Sequence, residues 1–272
     1  MSSPTIRLSV QTTLPDNFGS DKIFQQALEK LQRLGFYGLE LNIAHPGTEP
    51  LERIIRFLEG YQLKLTSFAS GLTAKTYGLS LSDKDEEVRA RSVHKLQQVI
   101  DFLSGSEVGI IIGFFKGPKV EYREIAHSQF GRSLDELLPA AENAKIPLVV
   151  EATNRYESSI ANSLEDAVKL VEPRNSPYLK ILPDTFHMNI EEQDMYASME
   201  KYLQYYDNVH LSDNNRYFPG YGAMDFSKIL NHLSSLGYVG GFALEGNLKA
   251  GLTEDGEAAM GLIKKIWESK RD

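Results

Sequence analysis

Eight short apolar runs recur along the chain, and an amphipathic stretch follows each of them. The runs are residues 6–10, 37–42, 63–69, 108–115, 146–151, 179–184, 208–212 and 241–245. They are rich in Val, Ile, Leu and Phe and apolar on both faces. Such runs fit strands of a parallel sheet that is covered on both sides. The stretches between them carry the helical period. Phe24, Ala27, Leu28, Leu31 and Leu34 make one apolar stripe, and Leu164, Ala167, Val168 and Val171 make another. Ala259, Leu262, Ile263, Ile266 and Trp267 make the last. Gly35, Gly60, Gly105 and Gly237 stand where helices should end, and Ser133 with Glu136 reads as a capping box at a helix start.

An open doubly wound sheet usually has fewer units and a Gly-rich first turn. Neither Gly-x-Gly-x-x-Gly after the first run nor a phosphate-binding Gly-x-x-x-x-Gly-Lys-Ser/Thr occurs. Eight units in 272 residues leave about 34 residues for each, the size of a unit in a closed barrel. The expected fold is therefore an α/β protein, a (β/α)8 TIM barrel, forming one catalytic domain over residues 1–272. Residues 116–133 are long for one connection and are expected to hold an extra turn of helix over the barrel mouth.

Charge and composition remove several function classes. Asp and Glu number 37 against 29 Lys and Arg, giving a net charge of −8. Nucleic acid and anionic membranes are poor partners for such a chain, because phosphate contacts need clustered cations. The absence of cysteine excludes disulfides, thiolate metal sites and Cys nucleophiles. The N-terminus has no basic stretch leading into an apolar run, and no run approaches the roughly 20 residues needed to cross a bilayer. A cytoplasmic location is expected.

In a barrel of this kind the chemistry sits at the C-terminal ends of the strands. The fifth run ends at Glu151, the sixth at Asp184, the seventh carries His210 and the eighth ends at Glu245. Their spacings of 33, 26 and 35 residues each match about one strand–helix unit. An acid directly after an apolar strand is partly buried, so it must be paired or bound to a metal. Any one of these could be a rim carboxylate in an ordinary salt bridge. Three carboxylates and one imidazole on four consecutive strands instead suit a divalent ion such as Mn²⁺, Co²⁺, Mg²⁺ or Zn²⁺.

The same residues sit in recognisable strings. These are Val-Val-Glu151-Ala-Thr-Asn154-Arg155-Tyr-Glu157, Asp184-Thr-Phe-His187-Met-Asn-Ile-Glu-Glu, Val-His210-Leu-Ser-Asp-Asn-Asn-Arg216 with Pro219-Gly220-x-Gly222, and Leu-Glu245. Together they resemble the sugar isomerase/epimerase superfamily with a xylose isomerase-like barrel. The nearest likeness is to its ketose 3-epimerases, of the D-tagatose and D-psicose (allulose) 3-epimerase type. The resemblance implies one divalent ion, Mn²⁺ or Co²⁺ before Mg²⁺ or Zn²⁺, held by Glu151, Asp184, His210 and Glu245. It implies that Glu151 and Glu245 double as acid and base in inverting C3 of a ketose through a cis-enediolate. It implies that Glu157, His187 and Arg216 contact the sugar, and that the enzyme is a homodimer or homotetramer. Phe68 and Phe114 are candidates to line the pocket for C4–C6, with core packing as the alternative.

The chemistry agrees with those roles. A proton next to a carbonyl leaves readily only if the enediolate is stabilised, which Lewis-acid charge and hydrogen bonds from Arg216 and His187 provide. One carboxylate removes the proton and a second on the opposite face returns it, inverting the carbon.

Other readings share the metal set: a sugar-phosphate epimerase, a hydroxypyruvate isomerase or an inosose dehydratase. An AP endonuclease would need three zinc ions and further His ligands, yet the third and fourth runs end in Thr66-Ser67-Phe68-Ala69 and Gly113-Phe114-Phe115-Lys116. A non-catalytic sugar-binding barrel would bind without exchanging protons. His45, before Pro46-Gly47, reads as a turn residue. Pro219-Gly220-Tyr221-Gly222 reads as a tight loop that positions Arg216 rather than as a phosphate site. In one respect the chain departs from the resemblance: Glu245 is followed by Gly246 where the epimerases often have Pro.

Overall fold

The computed structural model describes residues 6–268, so the reading of the N-terminus through Thr5 lies outside the described residues. Eight strands form one parallel sheet: β1 (Leu8–Thr13), β2 (Gly38–Asn42), β3 (Lys64–Ala69), β4 (Gly109–Ile112), β5 (Leu148–Glu151), β6 (Leu179–Leu182), β7 (Asn208–Leu211) and β8 (Gly241–Leu244). Their order is β6-β5-β4-β3-β2-β1-β8-β7. The remaining gap between β6 and β7 is closed by a single parallel bridge, Asp184 to His210, with the His210 N–H donating to Pro183 O at 2.9 Å. The Thr185 hydroxyl adds a second tie, donating to Ser212 O at 2.7 Å and accepting from Ser212 N at 2.9 Å. The expected barrel is thus present, and its last seam is sewn by two of the residues expected to carry chemistry.

The helices are α1 (Lys22–Leu34), α2 (Leu51–Gly60), α3 (Gly71–Tyr77), α4 (Glu86–Leu103), α5 (Arg123–Ala144), α6 (Leu164–Val171), α7 (Thr185–Glu191), α8 (Met195–Lys201), α9 (Phe226–Ser235) and α10 (Leu252–Glu268). Helix α1 illustrates why they form. The Asp21 carboxylate accepts the Phe24 N–H at its start, Phe24, Leu28 and Leu31 bury one face, and Gly35 at φ 86° ends it. The strand residues that point outward, such as Leu39 and Leu41, pack with these stripes in the main core.

The interior of the barrel is divided. Ile111, Val149 and Leu182 on β4–β6 form a small apolar cluster of their own. Ser9, Glu40, Ser67 and Asn208 supply polar atoms elsewhere in the barrel, where Glu40 accepts from both Ser67 and Asn208. A cavity of about 630 Å³ opens at the N-terminal end and is lined in part by Ser9, Ser67 and Asn208.

Three sequence expectations need correction. The run 108–115 is a strand only over Gly109–Ile112, because Gly113 turns the chain and Phe114–Lys116 form a 3₁₀ turn. The Ser133/Glu136 pair is not a cap: α5 starts ten residues earlier, at Arg123. Both residues instead serve the buried Arg89, which donates to Ser133 Oγ at 3.0 Å and to Glu136 Oε1 at 2.8 Å. The capping box that the structure contains is Ser163 with Asp166, at the start of α6. Gly60 also differs, since it is the last residue of α2 and the left-handed turn falls on Gln62 at φ 58°. Among the described residues no helix is long and apolar enough to cross a membrane.

Candidate active site

Four consecutive strand ends deliver four donors to one point. Glu151 is the last residue of β5, His210 lies in β7, and Glu245 follows β8 directly. Asp184 comes two residues after β6, where it caps α7. Its Oδ1 accepts the Phe186 N–H at 2.8 Å and the His187 N–H at 3.2 Å, which fixes Oδ2 toward the barrel axis. One ligating atom from each of Glu151, Asp184, His210 and Glu245 lies within 4.8 Å of the other three. His210 Nδ1 is 2.8 Å from Glu245 Oε2, 3.7 Å from Glu151 Oε1 and 3.8 Å from Asp184 Oδ2.

This set fits a divalent ion. Three carboxylates and one imidazole are a donor set for Mn²⁺, Co²⁺, Mg²⁺ or Zn²⁺. Glu151 Oε1 is buried and has no hydrogen-bond partner, an arrangement that costs free energy unless something else satisfies it. Gly113 leaves the room that this carboxylate uses, since a Cβ there would lie 2.0 Å from Glu151 Oε2.

Two basic side chains, Arg216 and His210, face the carboxylates. Arg216 donates from Nη1 to Asp184 Oδ2 at 2.7 Å, and its Nη2 lies 3.0 Å from Glu245 Oε2. Burial disfavours its charge, but Asp184 and Glu245 outweigh that and hold it firmly protonated. Burial likewise pulls His210 down, and Glu40 and Glu245 raise it well above the usual imidazole range. Burial pushes Glu245 up, while Arg216 and His210 bring it well below the usual carboxylate range.

Arg216 owes its position to the loop after β7. It sits at φ 63°, with its N–H bonded to Asp213 O at 2.9 Å. The Asp213 carboxylate gathers the N–H groups of Asn214, Gly220, Gly222 and Met224. The Pro219–Gly222 glycines therefore wrap an internal carboxylate. Gly246 backs this loop. A Cβ there would come within 2.7 Å of Arg216 O, and the Asn247 N–H donates to the same oxygen at 2.6 Å.

His187 is buried, and its Nε2 lies 3.9 Å from Glu151 Oε1. Its Nδ1 faces the backbone N–H of Asn154 at 3.2 Å and the Asn154 side-chain amide at 2.8 Å. Two donors on Nδ1 leave the proton of the neutral ring on Nε2, so His187 presents a hydrogen-bond donor toward Glu151. The same Asn154 amide donates to Glu157 at 2.8 Å, and Glu157 is exposed.

The two phenylalanines part company with the other candidates. Phe68 is fully buried and packs in the main core. Strand alternation explains this: Ser67 points inward to Glu40 Oε1 at 3.2 Å, so Phe68 points out to the helices. Phe114 is 58% exposed on the 3₁₀ turn after β4 and is not held in the donor cluster. His45 accompanies the Tyr77 hydroxyl at 3.0 Å.

Glu40, Lys116 and Asn154 were not singled out by the sequence patterns. Lys116 is fully buried, donates to Thr153 Oγ1 at 2.6 Å and Glu151 O at 3.0 Å, and is pushed down by burial to about 8. Glu40 meets His210 Nε2 at 2.8 Å. Glu40 interrupts an apolar run with a charge and Lys116 ends one, and those charges were the available signal, whereas Asn154 carries none.

The family described as Xylose isomerase-like TIM barrel matches residues 28–265. A D-psicose 3-epimerase of Enterocloster bolteae is 27% identical, over 90% of this chain and 81% of its own. A 3-dehydro-D-guloside 4-epimerase of Escherichia coli is 26% identical, over 83% of this chain and 89% of its own. In fold, the chain is similar to a D-psicose 3-epimerase from Clostridium cellulolyticum H10 solved with D-tagatose, at TM-score 0.80 and 20% identity, covering 96% of this chain and 99% of that one.

Proposed function

Because the chain belongs to the Xylose isomerase-like TIM barrel family, and its four strand-end donors converge, we propose that it is a divalent-metal-dependent ketose 3-epimerase. The observation that carries this reading is the buried cluster of Glu151, Asp184, His210 and Glu245, with two glutamates among its members. Relatives named D-psicose, L-ribulose and ketose 3-epimerase support the substrate class, a free ketose.

Glu151, Asp184, His210 and Glu245 would hold the ion, which when bound would supply Lewis-acid charge to the reaction. The remaining work falls to the chain. Glu151 and Glu245 sit on strands separated by β6 and β7, so they approach a sugar from different sides. One removes the C3 proton and the other protonates the opposite face, which inverts C3. The His187 Nε2–H and the Arg216 guanidinium donate to the developing oxyanion and favour the enediolate over the ground-state ketone. Glu157, oriented by Asn154, takes a sugar hydroxyl at the mouth.

A second reading rests on the guloside 4-epimerase relative. The chemistry is the same, abstraction of a proton next to a ketone, but the ketone is at C3 of a glycoside and the inverted carbon is C4. Proton NMR in D₂O separates the two, with Mn²⁺ added for turnover and removed before acquisition. Fructose, psicose, tagatose, sorbose and ribulose are assayed beside phosphorylated ketoses and 3-keto-glycosides. Deuterium at C3 of a free ketose, with its epimer appearing, is the expected result. Exchange confined to C4 of the keto-glycosides favours the second reading, and exchange confined to phosphorylated sugars overturns the free-ketose assignment. Label at C1 would mean an aldose–ketose isomerase. No exchange in any sugar would sink the epimerase reading.

A further inference from the structure

Glu40 occupies the middle of β2, between Leu39 and Leu41, and all three are fully buried. The two leucines face the helices, so the carboxylate points into the barrel. A buried carboxylate in that position is costly unless it is paired and hydrogen-bonded. Glu40 has three partners. Ser67 Oγ donates to Oε1 at 3.2 Å, Asn208 Nδ2 donates to Oε1 at 2.6 Å, and His210 Nε2 lies 2.8 Å from Oε2. Among the described residues the one ion pair it makes is with His210.

The two nitrogens of His210 therefore face different groups. Nδ1 faces the cluster of Glu245, Glu151 and Asp184, and Nε2 faces Glu40. A carboxylate accepts hydrogen bonds and cannot donate one, so the ring must keep its proton on Nε2 whenever Nδ1 offers a lone pair. We infer that Glu40 is the positioning residue of the metal site: it fixes the Nε2–H form of His210, makes Nδ1 the ligating atom, and tightens the hold on the ion. Ser67 and Asn208 clamp the Glu40 carboxylate on Oε1 and leave Oε2 for the imidazole. Carboxylates that orient a ligating histidine in this way typically govern metal affinity by 10–100-fold. The inference rests on the metal reading of the four donors given above.

Two measurements test it. In the first, Mn²⁺ is titrated calorimetrically into the metal-free wild type and into Glu40→Gln. Glutamine keeps the shape but can turn its amide N–H toward Nε2, which would place the ring proton on Nδ1. The expected result is tight binding by the wild type and a 10–100-fold weaker dissociation constant for the variant. A purely structural role would lower the metal-free melting temperature and leave the affinity alone. In the second, the wild type is labelled with ¹⁵N-histidine and loaded with diamagnetic Zn²⁺, with His210 assigned by loss of its signals in His210→Gln. A protonated Nε2 and a metal-shifted Nδ1 are expected. This measurement decides the matter even if Glu40→Gln does not fold. No Mn²⁺ binding by the wild type overturns the metal reading and this inference with it. Wild-type binding with unchanged affinity in Glu40→Gln, or a protonated Nδ1 in the loaded enzyme, overturns the Glu40 inference alone.

Discussion

Gly113 has no side chain because Glu151 occupies the space: a Cβ on residue 113 would stand 2.0 Å from Glu151 Oε2. The end of β4 is thus shaped to fit the carboxylate at the end of β5. Gly113→Ala should displace that carboxylate while leaving the barrel folded. A catalytic group moved by about 1 Å loses on the order of 100-fold in rate, so kcat/KM should fall by about that factor. Steady-state kinetics beside circular dichroism checks this. A fully active Gly113→Ala would show that Glu151 tolerates displacement.

Epimerisation needs both glutamates, but exchange of the C3 proton needs only the one that removes it. Glu151→Gln and Glu245→Gln should each abolish net epimerisation, a loss of about 10²–10⁴-fold or more in kcat. Deuterium wash-in from D₂O should then survive for one epimer in one variant and for the other epimer in the second. Wild-type turnover in either variant would sink the two-glutamate mechanism.

The barrel was legible in the sequence because its strands are buried on both faces, which leaves apolar runs that no exposed loop mimics. The ends were less legible. The fourth run continues in apolar letters through Phe115, yet the backbone turns at Gly113, at φ −94° and ψ −94°, into the 3₁₀ turn of Phe114–Lys116, so the strand stops at Ile112. The first turns of helix α5 give little sequence signal because they are charged, with Ala126 and Phe130 the buried residues there. The four metal-site candidates could be found because each falls at a strand end, where an acid or imidazole is conspicuous. Glu40 and Phe68 were harder, since which face of a strand points inward is decided by neighbours that the sequence does not order. Once Ser67 is seen to reach Glu40, Phe68 must belong to the helix layer.

Metal removal should be reversible. Without an ion, Arg216 and His210 still pair with Asp184 and Glu245, so the chelated protein is expected to stay folded. Dialysis against EDTA should abolish activity and lower Tm. Adding Mn²⁺ or Co²⁺ should restore both, because an ion that binds only the folded state stabilises it by roughly 2.7 kcal/mol at 100 times Kd. Full activity in EDTA at a metal content below one-tenth per chain would refute a resident ion.

Asp213 should matter to catalysis without touching substrate. It collects four backbone N–H groups of the loop that carries Arg216. Asp213→Ala unties that loop, and Arg216 loses its set position over Asp184 Oδ2. A fall in kcat/KM of roughly 10–100-fold is expected, with the affinity for Mn²⁺ changed much less because the four donors are untouched. Equal loss of metal affinity and turnover would mean that the loop holds the ligands rather than the arginine.

Acid stability should depend on a pair remote from the site. Arg89, buried, and Arg132 both reach Glu86, and the Arg89 hydrogen bond is the main reason its carboxyl is lowered from 4.5 to about 2. A carboxyl whose folded pKa lies below its unfolded value stabilises the protein above the unfolded pKa, near 4.5, and the contribution is lost as pH falls toward 2. Glu86→Gln should therefore lower Tm at pH 7, and the gap to the wild type should narrow as pH drops from 5 toward 2. Glu86 is exposed, and Arg89 keeps Glu136 and Ser133, so the effect at pH 7 should not exceed about 4 °C. Thermal melts at pH 7, 4.5 and 3 test it. A gap that stays constant across that range would place the stabilising interaction elsewhere than in the Glu86 charge.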